Sequence, residues 1–573
     1  MSKLNCNATL ENGKLILSNS KFSYEVEGVL EFSVDYPQER GCSDAFLEVC
    51  AKLEDREVRY QLWEDLPVVR ILGLGDKSPW TFTTDHYIVK STKLNAFSDD
   101  RDTMWEQREV HMFRMGVKFP LDGDIYFFEN PEDGKAMVLV SETPDFVETQ
   151  LNVQLLTGIL RIENQNCPIV LGFCDMDECE KLTRNYFRHA NRRPNLITMS
   201  NTWGDMNGRD RVCADFIKKE VDNAVEMGVD IVQIDDGWQE GRTLYELEKD
   251  EKGRAIWLPK SWIVNKERFP KGIEEVTAYA KERGVKVGMW FLPYSTDNPQ
   301  YTEDDKKLLW TAYHEWGIRF FKLDLYIVRC DEDKERMLEL LRYVYSFGDD
   351  VSVQMDVTRN HRLNTLCGRE YGTIFVENRY AKSTEKFPRS YFPHRVLRNL
   401  WMISKFIPTN RFQFELVNPD LQPEGYRAED PFVPYKHSMD YLFAVTMLSN
   451  PLVWMEMQHL SEQRKQELAP LMAVWRQHRK NFCDADVVPI GEKPSGRSIT
   501  GFAVENNENV EYLLLFREVT DRESAIIPLP ELKSGEVEIL ASNCDAQVTA
   551  LDGAVQVKLS QPRGYVLAAV KKA

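Results

Sequence analysis

Acidic and aromatic residues close several short apolar runs of this sequence, at the points where strands would end. Asp235 and Asp236 follow the apolar run 229–234, and Lys322 and Asp324 close the run that begins at 319. Carboxylates accept hydrogen bonds from vicinal hydroxyl groups, tryptophan rings stack on the apolar face of a pyranose, and two carboxyl groups can flank a glycosidic bond as nucleophile and acid. The other polar or aromatic residues at run ends are Asn201, Thr202, Trp203, Trp238, Trp290, Pro293, Tyr326, Asp356, Arg359, Glu377, Asn378, Glu415, Asn418 and Glu456. The set as a whole predicts a sugar site.

Two other interpretations of the same residues remain open at this point. Each acid, taken singly, is equally compatible with a structural ion pair, such as Lys322 with Asp324 or Asp235, because a buried carboxylate is costly without a partner or a function. A metal site is the second alternative. However, histidines are few, and neither His361 nor His394 lies at ligand spacing from the acids. We therefore expect no metal and no other cofactor.

Between residues 196 and 457, strand-like apolar runs alternate with amphipathic segments long enough for helices. In one of these segments Val212, Phe216, Val221 and Ala224 recur at near-helical spacing before Gly228, which fits a C-cap. About eight strands in this alternation fit a (β/α)8 TIM barrel better than a doubly wound sheet, and the C-terminal strand ends of such a barrel face its active site. The predicted strands are 196–203, 229–238, 285–292, 319–326, 351–357, 373–378, 411–417 and 452–457.

The segments on either side of the predicted barrel have the short apolar runs typical of β-structure. From residue 6 to about residue 183, such runs alternate with turn signals such as Pro120, Asp122 and Gly123, which predicts a large antiparallel β-sandwich. A similar pattern from 484 to 573 predicts a small antiparallel β-domain. The predicted fold class is α/β, with an N-terminal β-sandwich at 1–190, a catalytic barrel at 191–483 and a C-terminal β-sandwich at 484–573.

The composition excludes several classes of protein. The chain has 573 residues and a formal net charge of −19, so a polyanion such as nucleic acid would be repelled. Its apolar runs fall far short of the roughly 20 residues that span a bilayer, so we expect no membrane contact. The first ten residues lack the apolar stretch of a signal peptide, which favours a cytoplasmic protein, with a secreted or periplasmic origin and a trimmed signal as the alternative. The 11 cysteines form no CxxC pair and are expected to be free thiols.

Four short motifs, in this order, give the barrel segment a family likeness. They are Ile234 to Trp238 (IDDGW), Arg268 to Gly272 (RFPKG), Val287 to Trp290 (VGMW) and Phe321 to Asp324 (FKLD). The sequence resembles glycoside hydrolase family 36, the α-galactosidase (melibiase) and raffinose-synthase group, within the clan of retaining α-galactosidases. The likeness is strongest over the first half of the barrel, and the flanking β-domains match the family's usual layout.

The resemblance implies roles for individual residues. Asp324 matches the family's nucleophile, which forms a covalent glycosyl-enzyme in a retaining double displacement. Lys322 matches a lysine that hydrogen-bonds ring hydroxyls and favours the ionised carboxylate. Asp235 and Asp236 match the pair that holds the O4 and O6 hydroxyls of the sugar. Glu377 falls near the family's acid/base, which protonates the leaving oxygen and later activates water. Aromatic walls of the pocket are implied at Trp203, Trp238 and Trp290.

Two departures from the family pattern lie in the second half of the barrel. The family has Asp where this chain has Glu377, one methylene longer, which moves the proton donor. The Cys and Gly-rich stretch that the family has after strand five survives at most as residues 367–369 (CGR). Asp356 and Arg359 are therefore candidates to contact an altered sugar substituent, such as a carboxylate or an N-acetyl group. Asp356 is also an alternative acid, and an Asp356–Arg359 pair that fixes the barrel rim is the structural alternative.

We therefore predict a retaining, exo-acting α-glycoside hydrolase of the α-galactosidase kind. The expected partner is an α-linked oligosaccharide or glycoside, and a homo-oligomer is compatible with this interpretation. Two alternatives remain: a transglycosylase of the raffinose-synthase kind, which would use the same residues with a sugar acceptor in place of water, and a carbohydrate-binding relative without catalytic activity.

Overall fold

The computed structural model of the protein describes most of the chain. The described residues are 5–35, 46–73, 80–83, 88–94, 104–110, 119–121, 123–142, 152–156, 159–163, 168–191, 193–205, 211–241, 251, 262–296, 298–324, 330–356, 369–376, 391–421, 423–506 and 509–571.

The N-terminal region consists of three antiparallel sheets. The largest has nine strands in the order β10-β9-β12-β13-β16-β7-β6-β5-β4, and the others have the orders β1-β2-β3 and β11-β14-β15-β8. The strands are β1 Asn7–Glu11, β2 Lys14–Ser18, β3 Ser23–Glu27, β4 Glu31–Asp35, β5 Phe46–Lys52, β6 Glu57–Trp63, β7 Val68–Leu72, β8 Trp80–Thr83, β9 Ile88–Leu94, β10 Met104–Val110, β11 Phe119–Leu121, β12 Ile125–Asn130, β13 Lys135–Ser141, β14 Asn152–Leu156, β15 Ile159–Glu163 and β16 Ile169–Asp175. Helix α1 follows at Cys179–Ala190.

The nine-stranded sheet is buried on both faces at its centre, and strand alternation explains how. Along β12, Ile125 and Phe127 point into the core that continues into the barrel, whereas Tyr126 and Phe128 point into a separate core of the N-terminal sheets. Successive side chains of a strand point to opposite faces, so a strand covered on both sides is apolar throughout. The N-terminal sheet therefore packs directly against the barrel region.

Eight parallel strands then close into a barrel in sequence order. Its strands are β17 Met199–Asn201, β18 Ile231–Ile234, β19 Lys286–Phe291, β20 Phe320–Asp324, β21 Ser352–Asp356, β22 Thr373–Val376, β23 Phe412–Leu416 and β24 Asn450–Val453. The helices of this region are α2 Ala214–Met227, α3 Glu274–Glu282, α4 Thr302–His314, α5 Asp331–Tyr345, α6 Pro393–Ile403, α7 Met439–Thr446 and α8 Glu462–Asp484. Closure is made by the pairing of β24 with β17, which brings the first and last strand ends together at the mouth.

The C-terminal region consists of two antiparallel sheets, with the orders β25-β26-β27-β32-β29 and β28-β31-β30. Its strands are β25 Asp486–Gly491, β26 Ile499–Asn506, β27 Asn509–Arg517, β28 Ser524–Pro528, β29 Val537–Ser542, β30 Ala546–Leu551, β31 Ala554–Leu559 and β32 Gly564–Val570. The two sheets enclose a core of their own that includes Leu513, Val555 and Val566.

The predicted fold class, a TIM barrel between β-rich regions, is confirmed. Several observed strands are shorter than predicted: the strand expected at 196–203 lies at Met199–Asn201, the one expected at 229–238 lies at Ile231–Ile234, and the one expected at 452–457 lies at Asn450–Val453. The chain leaves the sheet after Val453 because Met457 and Gln458 donate their backbone N–H groups to the Glu220 carboxylate of α2, at 2.9 and 3.0 Å. No helix in the described part of the chain is both long and apolar enough to cross a bilayer. The cysteines among the described residues are free thiols.

Candidate functional site

A buried lysine joins three strand ends at the C-terminal mouth of the barrel. Nζ of Lys322, on β20, lies 2.9 Å from Oδ2 of Asp235, which follows β18, and 3.0 Å from Oδ2 of Asp356, the last residue of β21. All three side chains are only 3% to 4% exposed. Burial alone would lower the pKa of Lys322, but the charges of Asp235, Asp356 and Asp324 raise it well above its usual value. The lysine is therefore a permanent cation at this position.

Asp324, the last residue of β20, is the third carboxylate around this lysine. It lies opposite Asp356 in the register of β20 and β21, and its Oδ2 accepts a 2.7 Å hydrogen bond from Nε1 of Trp290. Burial, and next the negative charge of Asp356, raise the pKa of Asp324 to about 7, although Lys322 and the Trp290 hydrogen bond act in the opposite direction. Lys322 thus has three carboxylates around it, and Asp324 gains or loses its proton near neutral pH.

The two consecutive acids after β18 have different partners. Oδ2 of Asp235 accepts hydrogen bonds from Nδ2 of Asn201 at 2.7 Å and from Lys322 at 2.9 Å. Asp236 accepts a 2.6 Å hydrogen bond at Oδ1 from Nε2 of Gln239. Both acids are buried in the structure. The turn thus holds two carboxylates at the mouth, one tied to the lysine and one tied to a neutral amide.

The three tryptophans predicted as aromatic walls occupy different environments. Trp290 is buried beside Asp324, and Trp203 is half-buried after β17. Trp238 is 0% exposed, and its Nε1 donates a 3.0 Å hydrogen bond to the backbone oxygen of Trp290. Its ring contacts those of Trp262 and Phe291 at centroid distances of 5.7 and 5.6 Å. This position differs from the predicted pocket wall: Trp238 is enclosed by aromatic rings and supports the backbone of Trp290.

The second half of the predicted site is only partly described. Asp356 is in place beside Lys322, but Glu377 and Arg359 lie outside the described residues, as does His361. Arg369, the last residue of the predicted CGR remnant, donates a 2.8 Å hydrogen bond from Nε to Oε1 of Glu142, which follows β13 of the N-terminal region. That arginine therefore anchors the chain before β22 to the N-terminal sheet.

Two residues of the mouth, Gln239 and Trp454, were not selected from the sequence, and Asn201 was selected only as a strand-end residue without a role. Asn201 and Gln239 hydrogen-bond Asp235 and Asp236, as described above, and Nζ of Lys322 lies 5.1 Å from the ring centroid of Trp454. Asn201 closes the first strand and Trp454 directly follows the last one, so their strand-end positions could have identified them as residues of the mouth. Their contacts depend on barrel closure, which no local pattern shows.

A second polar group, of two acids and a histidine, lies where β17 and β24 meet. Donor atoms of Asp205, Glu456 and His459 all lie within 4.8 Å of one another, a spacing that suits a metal ion. His394, the other described histidine considered above, instead contacts the rings of Phe392 and Phe432. Among the described residues, this is the one group of three with metal-binding spacing.

The sequence of the barrel is similar to that of known α-galactosidases. Residues 177–316 match the family model for melibiase. The chain is 29% identical over 114 residues to the curated alpha-galactosidase Mel36A of Lactobacillus acidophilus, a match that covers 20% of this chain and 13% of that relative. The matched segment is thus a small part of the relative's length.

Solved structures extend this likeness to the whole fold. The crystal structure of the GH36 alpha-galactosidase AgaA from Geobacillus stearothermophilus aligns with a TM-score of 0.61 at 14% identity, over 99% of this chain and 89% of that one. A doubly substituted variant of AgaA, in complex with raffinose, aligns with a TM-score of 0.62 at 13% identity, over 99% and 89% of the two chains. Structural alignments at such low identity show a common fold only. The melibiase match adds sequence similarity over 177–316. The resemblance to glycoside hydrolase family 36 is confirmed.

Proposed function

We propose, on the premise of this confirmed resemblance to glycoside hydrolase family 36, that the protein is a retaining, exo-acting α-glycoside hydrolase of the α-galactosidase kind. The observation that carries the proposal is Asp324: a buried carboxylate at a barrel strand end, oriented by Trp290 and adjacent to the permanent cation Lys322. Catalytic groups of TIM-barrel enzymes occupy such strand ends, and a carboxylate with a strongly shifted pKa there is a candidate nucleophile.

The first chemical step requires the ionised form of Asp324. One carboxylate oxygen attacks the anomeric carbon, the bond from that carbon to the leaving oxygen breaks, and its electron pair stays on the leaving oxygen, which takes a proton from the acid/base. The Trp290 hydrogen bond fixes Oδ2, so that the carboxylate has one orientation at the moment of attack. Lys322 stabilises the charge of the attacking anion. A water molecule then gives a proton to the acid/base and attacks the anomeric carbon, the bond from that carbon to Asp324 breaks, and the sugar and the aspartate are released.

The remaining acids of the mouth are assigned to the sugar hydroxyls. Asp235 and Asp236 are carboxylates at the mouth, and an ionised carboxylate offers about four lone-pair sites for hydrogen bonds. We assign them to two hydroxyls of the terminal sugar, as the family likeness implies, with Trp203 and Trp290 as apolar contacts. Asp356 is paired with Lys322 at 3.0 Å, and we assign it to a sugar hydroxyl.

The acid/base is assigned to Glu377. The alternative, Asp356, is engaged with Lys322 at 3.0 Å, on the same side of the site as Asp324. A retaining enzyme needs its two carboxyl groups on opposite sides of the glycosidic bond, about 5–5.5 Å apart. A comparison of Glu377→Ala with Asp356→Asn tests the assignment. The variant of the true acid slows substrates with poor leaving groups far more than activated aryl glycosides, since only the former need a proton. Equal losses of Glu377→Ala on both substrate types contradict the assignment.

The proposed substrate is an α-linked oligosaccharide or glycoside with a terminal galactose or a close relative of it. Support comes from the AgaA variant whose structure is a complex with raffinose. We also propose that the chain is organised as an N-terminal β-sandwich domain at 1–190, the catalytic barrel at 191–483 and a C-terminal β-domain at 484–573. The separate C-terminal core supports the last of these divisions.

Product analysis of an aryl α-galactoside reaction tests the mechanism. We expect proton NMR to show the α-anomer of the sugar first, and mass spectrometry of quenched enzyme to find a glycosyl group on the peptide that contains Asp324. Release of the β-anomer first contradicts the retaining mechanism. A parallel reaction with sucrose identifies the transglycosylase alternative if transfer to sucrose exceeds hydrolysis. A protein that binds the glycoside but never cleaves it is the carbohydrate-binding alternative.

A further inference from the structure

Two loops at the barrel mouth approach each other unusually closely where the first and last strands meet. A Cβ atom at Gly204 would lie 2.1 Å from the backbone carbonyl carbon of Trp454, a distance at which one backbone or the other would have to move. Only glycine allows this contact. The close approach places Asp205 of the first loop directly beside Glu456 and His459 of the second.

The second loop is held in place from the helix side. The Glu220 carboxylate on α2 accepts the backbone N–H groups of Met457 and Gln458, at 2.9 and 3.0 Å. These bonds form the turn that presents His459 towards Glu456 and Asp205. The position of the imidazole is therefore built into the fold.

The three side chains converge as metal ligands do. Nδ1 of His459 lies 2.9 Å from Oε2 of Glu456 and 3.5 Å from Oδ2 of Asp205. Ligand atoms of a tetrahedral zinc site, with bonds near 2.1 Å, lie about 3.4 Å apart. These two separations bracket that value, and carboxylate oxygens of Asp205 and Glu456 lie within 4.8 Å of each other, so small rotations of the three side chains bring them to bonding distance of one ion.

A separate observation favours a cation at this position. Asp205 is 2% exposed, and in the described part of the chain its buried Oδ2 makes no close hydrogen bond, with Nδ1 of His459 lying 3.5 Å from it. A buried carboxylate oxygen in this state carries a high energetic cost unless a cation or a donor meets it. This oxygen is directed at His459, which is the open side of the group because its side chain is 38% exposed.

The geometry points to a divalent transition-metal site, of the zinc or manganese type, formed by Asp205, Glu456 and His459. One imidazole nitrogen with two carboxylate oxygens is a donor set for such ions, and the exposed side leaves room for water ligands. The ion would tie the loop after β17 to the loop after β24, next to Trp203 at the mouth. This inference does not depend on the proposed glycosidase activity.

One existing cation competes with the proposed ion. Nη1 of Arg211 lies 3.0 Å from Oε2 of Glu456, and its side chain is 46% exposed. A half-exposed guanidinium can rotate into solvent, so it acts as a replaceable counter-ion. Removing it should strengthen metal binding, whereas a purely structural ion-pair cluster would only be weakened by that change.

Metal titration of the full-length chain, free of any histidine tag and treated with EDTA, tests the site. We expect calorimetry with Zn²⁺ or Mn²⁺ to show one ion per chain at micromolar affinity or tighter, and the thermal unfolding midpoint to rise by a few degrees. His459→Gln should weaken binding by more than the roughly 10- to 100-fold that loss of an outer-shell partner causes. Asp205→Asn should act similarly, and Arg211→Ala should bind several-fold more tightly than the wild type.

His314→Gln is the matched control, because His314 is an exposed histidine on α4 that makes ring contacts with Trp310 and Phe347. It should leave the affinity unchanged. The inference is overturned if the wild type binds neither ion, or if His459→Gln binds as tightly as the wild type. The partly exposed His459 keeps the test decisive even if Asp205→Asn fails to fold.

Discussion

Two buried carboxylates, Glu142 and Asp324, differ in the sign of the charge that acts most strongly on them. Glu142 accepts hydrogen bonds from Arg70, at 2.6 Å from Nη2, from Nε of Arg369 at 2.8 Å, and from the hydroxyl of Tyr186. Burial alone would raise the pKa of Glu142, but Arg369 and Arg70 lower it to about 2. Asp324 lies beside Lys322, but burial and the negative charge of Asp356 outweigh that cation and raise the pKa of Asp324 to about 7.

This difference separates an acid that serves the fold from one that serves chemistry. A carboxylate met by two guanidinium groups is permanently ionised and fixed, and it joins the N-terminal sheet to the segment before β22. A buried carboxylate beside another carboxylate keeps its basicity, which a nucleophile needs. Both carboxylates are buried, so burial alone does not identify a functional acid.

The largest expected effect is on the turnover of Asp324→Asn. Loss of the nucleophile should lower kcat by about 10⁴- to 10⁶-fold, the range found on removing catalytic groups. The amide keeps the shape of the side chain, so the unfolding midpoint should not fall below that of the wild type. Steady-state kinetics with an aryl α-galactoside, and a thermal melt of the same sample, measure the two quantities. A large loss of stability without a loss of turnover would show that Asp324, like Glu142, serves the fold and not catalysis.

Glu142→Gln should give the opposite result. Removing one partner of a buried ion pair costs about 3–5 kcal/mol of unfolding free energy, because two guanidinium groups lose their counter-charge. Turnover per folded molecule should change little. Urea unfolding measures the loss, and the exposed Glu132→Gln is the matched control, expected within about 0.5 kcal/mol of the wild type. A stable Glu142→Gln protein would show that the arginines do not depend on this acid.

The pH profile of catalysis should respond to Asp356. Only ionised Asp324 attacks, so kcat/KM of the wild type should fall as the pH drops below about 7. Asp356→Asn removes the neighbouring negative charge that raises the pKa of Asp324, so the acid limb of the profile should move to lower pH. The conservative variant Asp356→Glu should retain the wild-type limb. An unmoved limb in Asp356→Asn would mean that another group controls it.

The smallest expected effect is a pair of opposite pH dependences of stability. Between the ordinary pKa of 3.8 and the folded value near 7, folded Asp324 holds a proton that the unfolded chain has lost, so its contribution to stability falls as the pH rises. Between about 2 and 4.5, folded Glu142 has lost a proton that the unfolded chain holds, so its contribution rises with pH.

The differences between variants and wild type isolate these contributions. Relative to the wild type, Asp324→Asn should gain stability from pH 4 to pH 7, and Glu142→Gln should lose stability as the pH rises from about 2 to 4.5. Unfolding free energies from urea titrations at a series of pH values test both trends. The same sign for both variants would contradict the contrast between the two acids.

The sequence predicted the barrel and the acids of its first half because the signal there is local. A strand of apolar residues that ends in Lys322 and Asp324 places both at the mouth of a parallel barrel, whatever the rest of the chain does. The β-rich flanks were predicted for the same reason. The partners of these residues, such as Trp454 beside Lys322, could not be predicted, because they come from the closure of the barrel.

Contacts between residues far apart in the chain could not be predicted from the sequence. Glu142 and Arg369 are 227 positions apart, and neither lies in a pattern that points to the other. Trp238 has the same strand-end position as a pocket residue, and only the packing of Trp262 and Phe291 around it shows that it is enclosed. Local periodicity assigns a residue to a strand end, whereas its exposure there depends on side chains from other strands.

The most direct test of the central claim is hydrolysis of a panel of aryl α- and β-glycosides by the wild-type protein, with Asp324→Asn as the control. We expect an α-galactoside or a close relative to be cleaved, the β-glycosides to be left intact, and the control to be inactive. Cleavage that persists in the Asp324→Asn protein, or a panel in which only β-glycosides react, would contradict the proposal that Asp324 is the nucleophile of an α-glycoside hydrolase.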